Sequence, residues 1–206
     1  MTGASETNPS FRKAGASEAV IVVSGLPRSG TSMTMQMLAA ASIPVITDGV
    51  REPGEDNPRG YFEDERVKAL HKEGEDRSWI EEVRGKAIKI ISFFLRDLPP
   101  SNRYKVLFMR RDLREVLSSQ RRMLQRRGEP VGSDEERMYE ILEKHLAEVE
   151  RLIRESDHFE ILNVEYRDVI ADPRREAIRI RDFLGLDLDV EKMAGAVDSG
   201  LYRNRA

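Results

Sequence analysis

The chain has 206 residues, 39% of them hydrophobic and 34% charged, the proportions of one globular domain with a core of its own. It contains no cysteine, which excludes disulfides, thiolate metal sites and a Cys nucleophile, and its three histidines (His71, His145 and His158) are too scattered for a His-rich metal centre. A net charge of −3 offers no bulk attraction for nucleic acid, and the apolar runs are strand-sized, far short of a membrane span.

The first residues, "MTGASETNPSFRKAGASEA", are small and polar, without the apolar core of a secretion signal. Residues 1–17 are therefore expected to be a disordered tail, residues 18–206 a single domain, and the protein cytoplasmic. Val20–Val23 reads as a buried strand and Thr31 to Ser42 as the helix after it. Ile43–Ile46 reads as a short strand. The run "TDGVREPGEDNPRGYFE", rich in Gly, Pro, Asp and Asn, reads as a long loop of the kind that carries function.

A helix is expected from Phe62 to about Glu75, and strands over Lys86–Ile91 and Tyr104–Met109. Asp112 with Glu115 forms a capping-box pattern opening a helix whose inward stripe is Leu113, Val116, Leu117, Gln120 and Leu124. Ser133 with Glu136 repeats that pattern before a long amphipathic helix with Met138, Ile141, Leu142, Leu146, Val149, Leu152 and Ile153 on one face. Phe159–Val164 reads as the last strand, and Asp172-Pro173 and Gly185 as the start and stop of a further helix. Strands alternating with helices predict an α/β fold: a three-layer P-loop architecture with a central, mostly parallel sheet flanked by helices.

Between the first strand and its helix lies Ser24-Gly25-Leu26-Pro27-Arg28-Ser29-Gly30-Thr31-Ser32. A strand turning through glycines into a helix presents backbone N–H groups and a positive dipole end to an anion. The nucleoside-triphosphate loop G-x-x-x-x-G-K-[ST] would place Lys where Thr31 stands; here the only cation in the loop is Arg28. No Asp follows the Ala87–Ile91 strand, and Arg110 and Arg111 end the next one, so cations gather where a metal-binding carboxylate would sit. That arrangement suits a metal-free anion site.

The sequence here resembles the sulfotransferases that use 3′-phosphoadenosine 5′-phosphosulfate (PAPS). Their 5′-phosphosulfate loop, P-[KR]-[ST]-G-[ST]-[ST], is matched by Pro27, Arg28, Ser29, Gly30, Thr31 and Ser32. Their 3′-phosphate signature, a strand-end Arg followed by a helical Ser, is matched in "MRRDLREVLSSQ" by Arg111 and Ser119. "LNVEYRDVIADPRREAIRIRDFLGL" is similar to their Y-E-D-L…D-P…FLGL segment.

The resemblance implies PAPS as donor, 3′-phosphoadenosine 5′-phosphate (PAP) as product, no metal, and a small-molecule, carbohydrate or peptide acceptor; charge and hydropathy predict neither nucleic acid nor membrane as partner, and the long helix after Ser133 could present a face for a homodimer. It implies Arg28 on the leaving group and Lys89, on the strand "GKAIKII", near the transferred sulfuryl group. The His of the small-molecule type is replaced by Ile91, so the base is sought among loop carboxylates, Asp48 first, Glu52 second and Glu63 third, with His71 a further candidate. Arg203 and Arg205 resemble terminal basic residues that help hold the 3′-phosphate, and Trp79 is a candidate for stacking adenine. A P-loop kinase, or a non-catalytic nucleotide-binding protein keeping the same cradle, are the alternatives.

Overall fold

The computed structural model describes residues 18–50, 60–130, 132 and 134–198. Among them, β1 (Val20–Gly25), β2 (Ala87–Lys89), β3 (Tyr104–Arg110) and β4 (Phe159–Glu165) form one sheet in the order β2-β1-β3-β4. Every pairing is parallel: Val23 lies beside Lys89 on one flank and Leu107 on the other, and Arg110 ends opposite Glu165. β1 is buried at all its positions, as an inner strand covered on both faces must be, and this is why it reads as an unbroken apolar run.

Helices cover both faces, giving the expected three layers. On one face α1 (Thr31–Ala40), α5 (Tyr166–Ala171), α6 (Pro173–Leu184) and α7 (Val190–Gly195) bury Met35, Leu38, Val169, Ile180, Leu184 and Met193 against Ile21, Val23 and Leu107. On the other, α2 (Glu65–Ala69), α4 (Glu135–Glu155) and two 3₁₀ helices (Ser78–Val83, Ser92–Asp97) meet Val20, Val22 and Val106. A smaller cluster joins Leu26, in the loop after β1, to Val116 and Leu117 of α3 (Leu113–Arg127) and Leu142 of α4. The chain thus leaves β1 toward one face and β3 toward the other. A crevice opens where neighbouring strands diverge in this way, at their carboxyl ends.

Several local expectations are corrected. Pro44 lacks an N–H, and Ile43–Ile46 makes only a bridge, with Ala87 N–H to Pro44 O and Ile46 N–H to Ala87 O at 2.8 Å each. The helix expected over 62–75 shrinks to α2, because Asp64 caps it by accepting Arg66 N–H at 3.0 Å and the chain turns again before Gly74. Asp112 caps α3 as expected, but Glu115 does not complete the box: its carboxylate is drawn inward to two arginines. The cap of α4 is Asp134, not Ser133, which lies outside the described residues. On α4, Met138 and Ile141 are exposed, and His145 takes a buried place instead. Among the described residues, no helix is long and apolar enough to cross a membrane.

Candidate active site

The loop after β1 is held by three anchors. Leu26 is buried under α3 and α4, Ser29 N–H closes a tight turn on Leu26 O at 3.1 Å, and Gly30 opens α1 without a capping side chain. Gly25 (φ 142°) and Gly30 (φ 103°) both adopt backbone that side-chain-bearing residues avoid. A Cβ on Gly25 would lie 2.6 Å from Ser29 Oγ, and one on Gly30 2.6 Å from Tyr166 Cδ2. Arg28 adopts a left-handed conformation too (φ 71°), a strained choice for a side-chain-bearing residue.

Two hydroxyls here, Ser24 Oγ near the end of β1 and Ser29 Oγ in the loop, are buried and without a hydrogen-bond partner. Buried polar groups are rarely left unmatched unless a ligand or water completes them. Helix-start N–H groups with two unmatched hydroxyls beside them fit the phosphate-type end of a donor.

The second group of expected residues converges on the first. Arg28 Nε donates to Ser119 Oγ at 3.1 Å, and Arg111 Nη1 donates to Arg28 O at 3.0 Å. Ser119 is buried one to two turns up α3, on the side facing the loop. The Arg111 side chain is only 6% exposed; its Nε donates to Glu115 Oε2 at 3.0 Å and its guanidinium lies 4.3 Å from the Tyr166 ring centre. Arg167 approaches the other oxygen of the same carboxylate, with Nε and Nη2 at 3.1 and 2.6 Å from Glu115 Oε1. Arg110 points elsewhere, to Glu150 and Asn163.

Lys89 enters from β2. Its ammonium, 7% exposed, donates to Tyr61 O and lies 3.2 Å from Glu63 Oε1, while Ser32 Oγ reaches the same Tyr61 carbonyl at 3.5 Å. Phe62 takes a positive φ (50°) between Tyr61 and Glu63. The first choice of base is placed otherwise: Asp48 Oδ1 accepts Val50 N–H at 2.9 Å and Oδ2 accepts Glu65 N–H at 2.7 Å, so its carboxylate fastens the loop to the start of α2. Glu52, Arg203 and Arg205 lie outside the described residues.

Trp79 is faced by the Arg66 guanidinium at 4.4 Å, and its 3₁₀ helix runs into Gly85, whose N–H binds Ala19 O just ahead of β1. Trp79 is partly buried against the core cluster on that face of the sheet. His71 stacks on Phe94. His145 stacks on Phe93 at 3.9 Å and shares a 2.8 Å hydrogen bond with Ser92 Oγ; burial, with Arg96 adding to it, holds its pKa below the ordinary histidine range. Sequence reasoning missed the joint between Arg111, Glu115 and Arg167, and the place of Tyr166 beneath both Arg111 and Gly30. The Tyr of the Y-E-D-like segment was visible, but its partners were not. Among the described residues, no group of three or more His, Asp or Glu is arranged to hold a metal ion.

The model of the sulfotransferase family matches residues 61–190, a span that begins after the Pro27–Ser32 loop and takes in Lys89, Arg111, Ser119 and the Tyr166–Leu186 segment. A search of curated proteins finds no match. Among solved structures, the chain is similar to the sulfotransferase domain of the Synechococcus PCC 7002 olefin synthase, at 16% identity over 90% of this chain and 79% of that one, with a TM-score of 0.50. It is similar also to the sulfotransferase STF9 from Mycobacterium avium, at 15% identity over 91% of this chain and 69% of that one, with a TM-score of 0.50. At such identity these likenesses establish the fold. The family match covers more than half of the chain, and the protein accordingly belongs to the sulfotransferase family and is a sulfotransferase enzyme.

Proposed function

We propose that residues 18–206 form one sulfotransferase domain that takes PAPS as donor and passes its sulfuryl group, without a metal, to a hydroxyl or amine of a small-molecule, carbohydrate or peptide acceptor. The observation that carries this reading is that the loop after β1 is tied across the crevice to the strand end of β3 and to α3. Arg28, in the loop, is bonded to Ser119 on α3 and to Arg111 at the end of β3. A donor with phosphate-type groups at both ends suits two cationic sites so linked, and Arg is the residue fitted to such groups.

When bound, PAPS supplies a sulfuryl group on an anhydride whose departing phosphate gains charge as the S–O bond breaks. The chain's residues then divide the work. The amides of the Pro27–Ser32 loop and the hydroxyls of Ser29, Thr31 and Ser32 bind the 5′ end, and Arg28 stabilises the charge growing on the departing phosphate. Arg111 and Ser119 bind the 3′-phosphate. Lys89 orients the sulfuryl oxygens from the β2 side. Glu63 takes the acceptor's proton as the new bond to sulfur forms; of the two described carboxylates expected to serve, its oxygen lies beside Lys89, whereas both oxygens of Asp48 bind backbone.

The test is calorimetric titration with PAP beside ATP, each with and without Mg²⁺. Tight, metal-independent PAP binding with weak ATP binding is expected. Mg²⁺-dependent ATP binding would refute the donor assignment, and binding of neither would point to a chain that keeps the cradle without this chemistry.

A further inference from the structure

Lys89 stands at the end of a lightly fastened strand. β2 has three residues and lies at the edge of the described sheet, where its outer side meets only the Val45 bridge, at Ala87. Among the described residues its last ladder bond is Ile90 N–H to Val23 O at 3.0 Å, one residue past Lys89. The ends of short edge strands open readily. If the Lys89 ammonium is to keep its place beside Tyr61 O and Glu63, the chain beyond Ile90 has to be held by something other than the sheet.

That hold comes from α4. Ser92 Oγ and His145 Nε2 share a 2.8 Å hydrogen bond between positions 53 apart in the chain, both buried, at 2% and 6% exposure. The next residue, Phe93, lies flat on the imidazole, with ring centres 3.9 Å apart and planes 10° from parallel. Phe93 also packs against the cluster that seats Leu26, the anchor of the loop after β1. One histidine therefore grips two successive residues of the chain leaving β2. The charges that act on it are Arg96, on the same 3₁₀ helix as Ser92, and Glu148, on α4; burial and Arg96 prevail and favour the neutral ring. An enclosed imidazole stacked on an apolar ring has to be neutral to be cheap to bury. With Nε2 committed to Ser92 and so little of the residue exposed, this ring is not placed to take an acceptor's proton.

We infer that His145 is a positioning residue for sulfuryl transfer: through Ser92 and Phe93 it fixes the chain after β2, and with it the place of the Lys89 ammonium. The inference rests on the role given to Lys89 above. It gives a part in the reaction to α4, none of whose residues the donor reading uses.

The experiment measures PAP affinity by calorimetry, and turnover as PAP release from saturating PAPS with the alcohol, phenol, sugar or amine that the wild type sulfates fastest. The proteins are the wild type, Ser92→Ala, His145→Ala, His145→Gln, Lys89→Ala and the Lys89→Ala/His145→Ala double variant, each with a melting curve. Ser92→Ala and His145→Ala should lose about tenfold or more in turnover. PAP lacks the sulfuryl group that Lys89 orients, so its affinity should stay within about twofold. His145→Gln, able to meet Ser92 again, should recover part of the loss. With Lys89 already removed, losing His145 as well should cost less than about twofold more, because the group it positions is gone. Wild-type turnover in folded Ser92→Ala, a turnover loss matched by an equal loss of PAP affinity, or full additivity in the double variant would overturn the inference and leave the pair a packing contact. Ser92→Ala removes a single oxygen and decides the matter if His145→Ala does not fold. A wild type that fails to bind PAP would instead overturn the donor reading, and this inference with it.

Discussion

The choice of base can be decided by two isosteric substitutions, Glu63→Gln and Asp48→Asn. Glu63→Gln keeps an acceptor for Lys89 but removes a group able to take a proton. Positioned general bases contribute about 10²- to 10⁴-fold, so turnover should fall by that factor, equivalent to roughly 3–5 kcal/mol in the barrier. The pair with Lys89 is partly open to solvent on the Glu63 side, so stability should change by less than about 1 kcal/mol. Asp48→Asn exchanges one of two backbone-accepting oxygens for an amide that cannot accept the N–H of Val50 or Glu65. One hydrogen bond of about 0.5–1.5 kcal/mol is lost, at the low end because the site is exposed, lowering Tm by a few degrees at most. Turnover should stay within about threefold. The assay is PAP release at saturating PAPS with an acceptor drawn from a panel of alcohols, phenols, sugars and amines, alongside a melting curve. A folded Asp48→Asn protein losing more than about a hundredfold while Glu63→Gln stayed near wild type would refute the reasoning.

Arg28 and Arg111 should separate in kinetics. Arg28→Ala is expected to abolish transfer while PAP binding falls far less, and Arg111→Ala to weaken PAP binding by at least about tenfold; unchanged PAP affinity in the latter would exclude it from the 3′-phosphate site. Gly30→Ala places a Cβ 2.6 Å from Tyr166 Cδ2 at a φ of 103°. The backbone alone costs about 1–3 kcal/mol, so calorimetry should record a lower Tm together with weaker PAP binding, and an unshifted melt would contradict the packing of Tyr166 on the loop. Burial lowers the pKa of His145, and of His158 likewise, below the unfolded value of 6.5. The unfolded chain therefore binds protons first: this stability is complete above about pH 6.5 and drains away as pH falls through it toward the folded pKa. Melting should be lower at pH 5.5 than at 7.5, and His145→Gln, which can still meet Ser92, should flatten the difference; an equal slope in the variant would remove His145 as its source.

The amino-acid sequence by itself determined the parts whose causes are local. Strand β1 announces itself because an inner parallel strand must be apolar throughout, the turn into α1 because its backbone at Gly25 and Gly30 takes positive φ, and α6 because Asp172-Pro173 and Gly185 cap it. That Arg111 and Ser119 come near one another was legible for the same reason, because they lie eight residues apart on one strand end and helix. Local rules misled where a long-range partner outbid them. Glu115 satisfies a capping pattern yet serves Arg111 and Arg167, and Met138 and Ile141 satisfy a helical stripe that α4 leaves facing solvent. Only the tertiary structure decided that Arg28 meets Ser119, 91 residues away, that Lys89 meets Glu63 rather than Asp48, and that Arg167 reaches into α3. These contacts follow from which strand ends the parallel sheet brings side by side and from which helix covers which face, and no spacing along the chain encodes such distances.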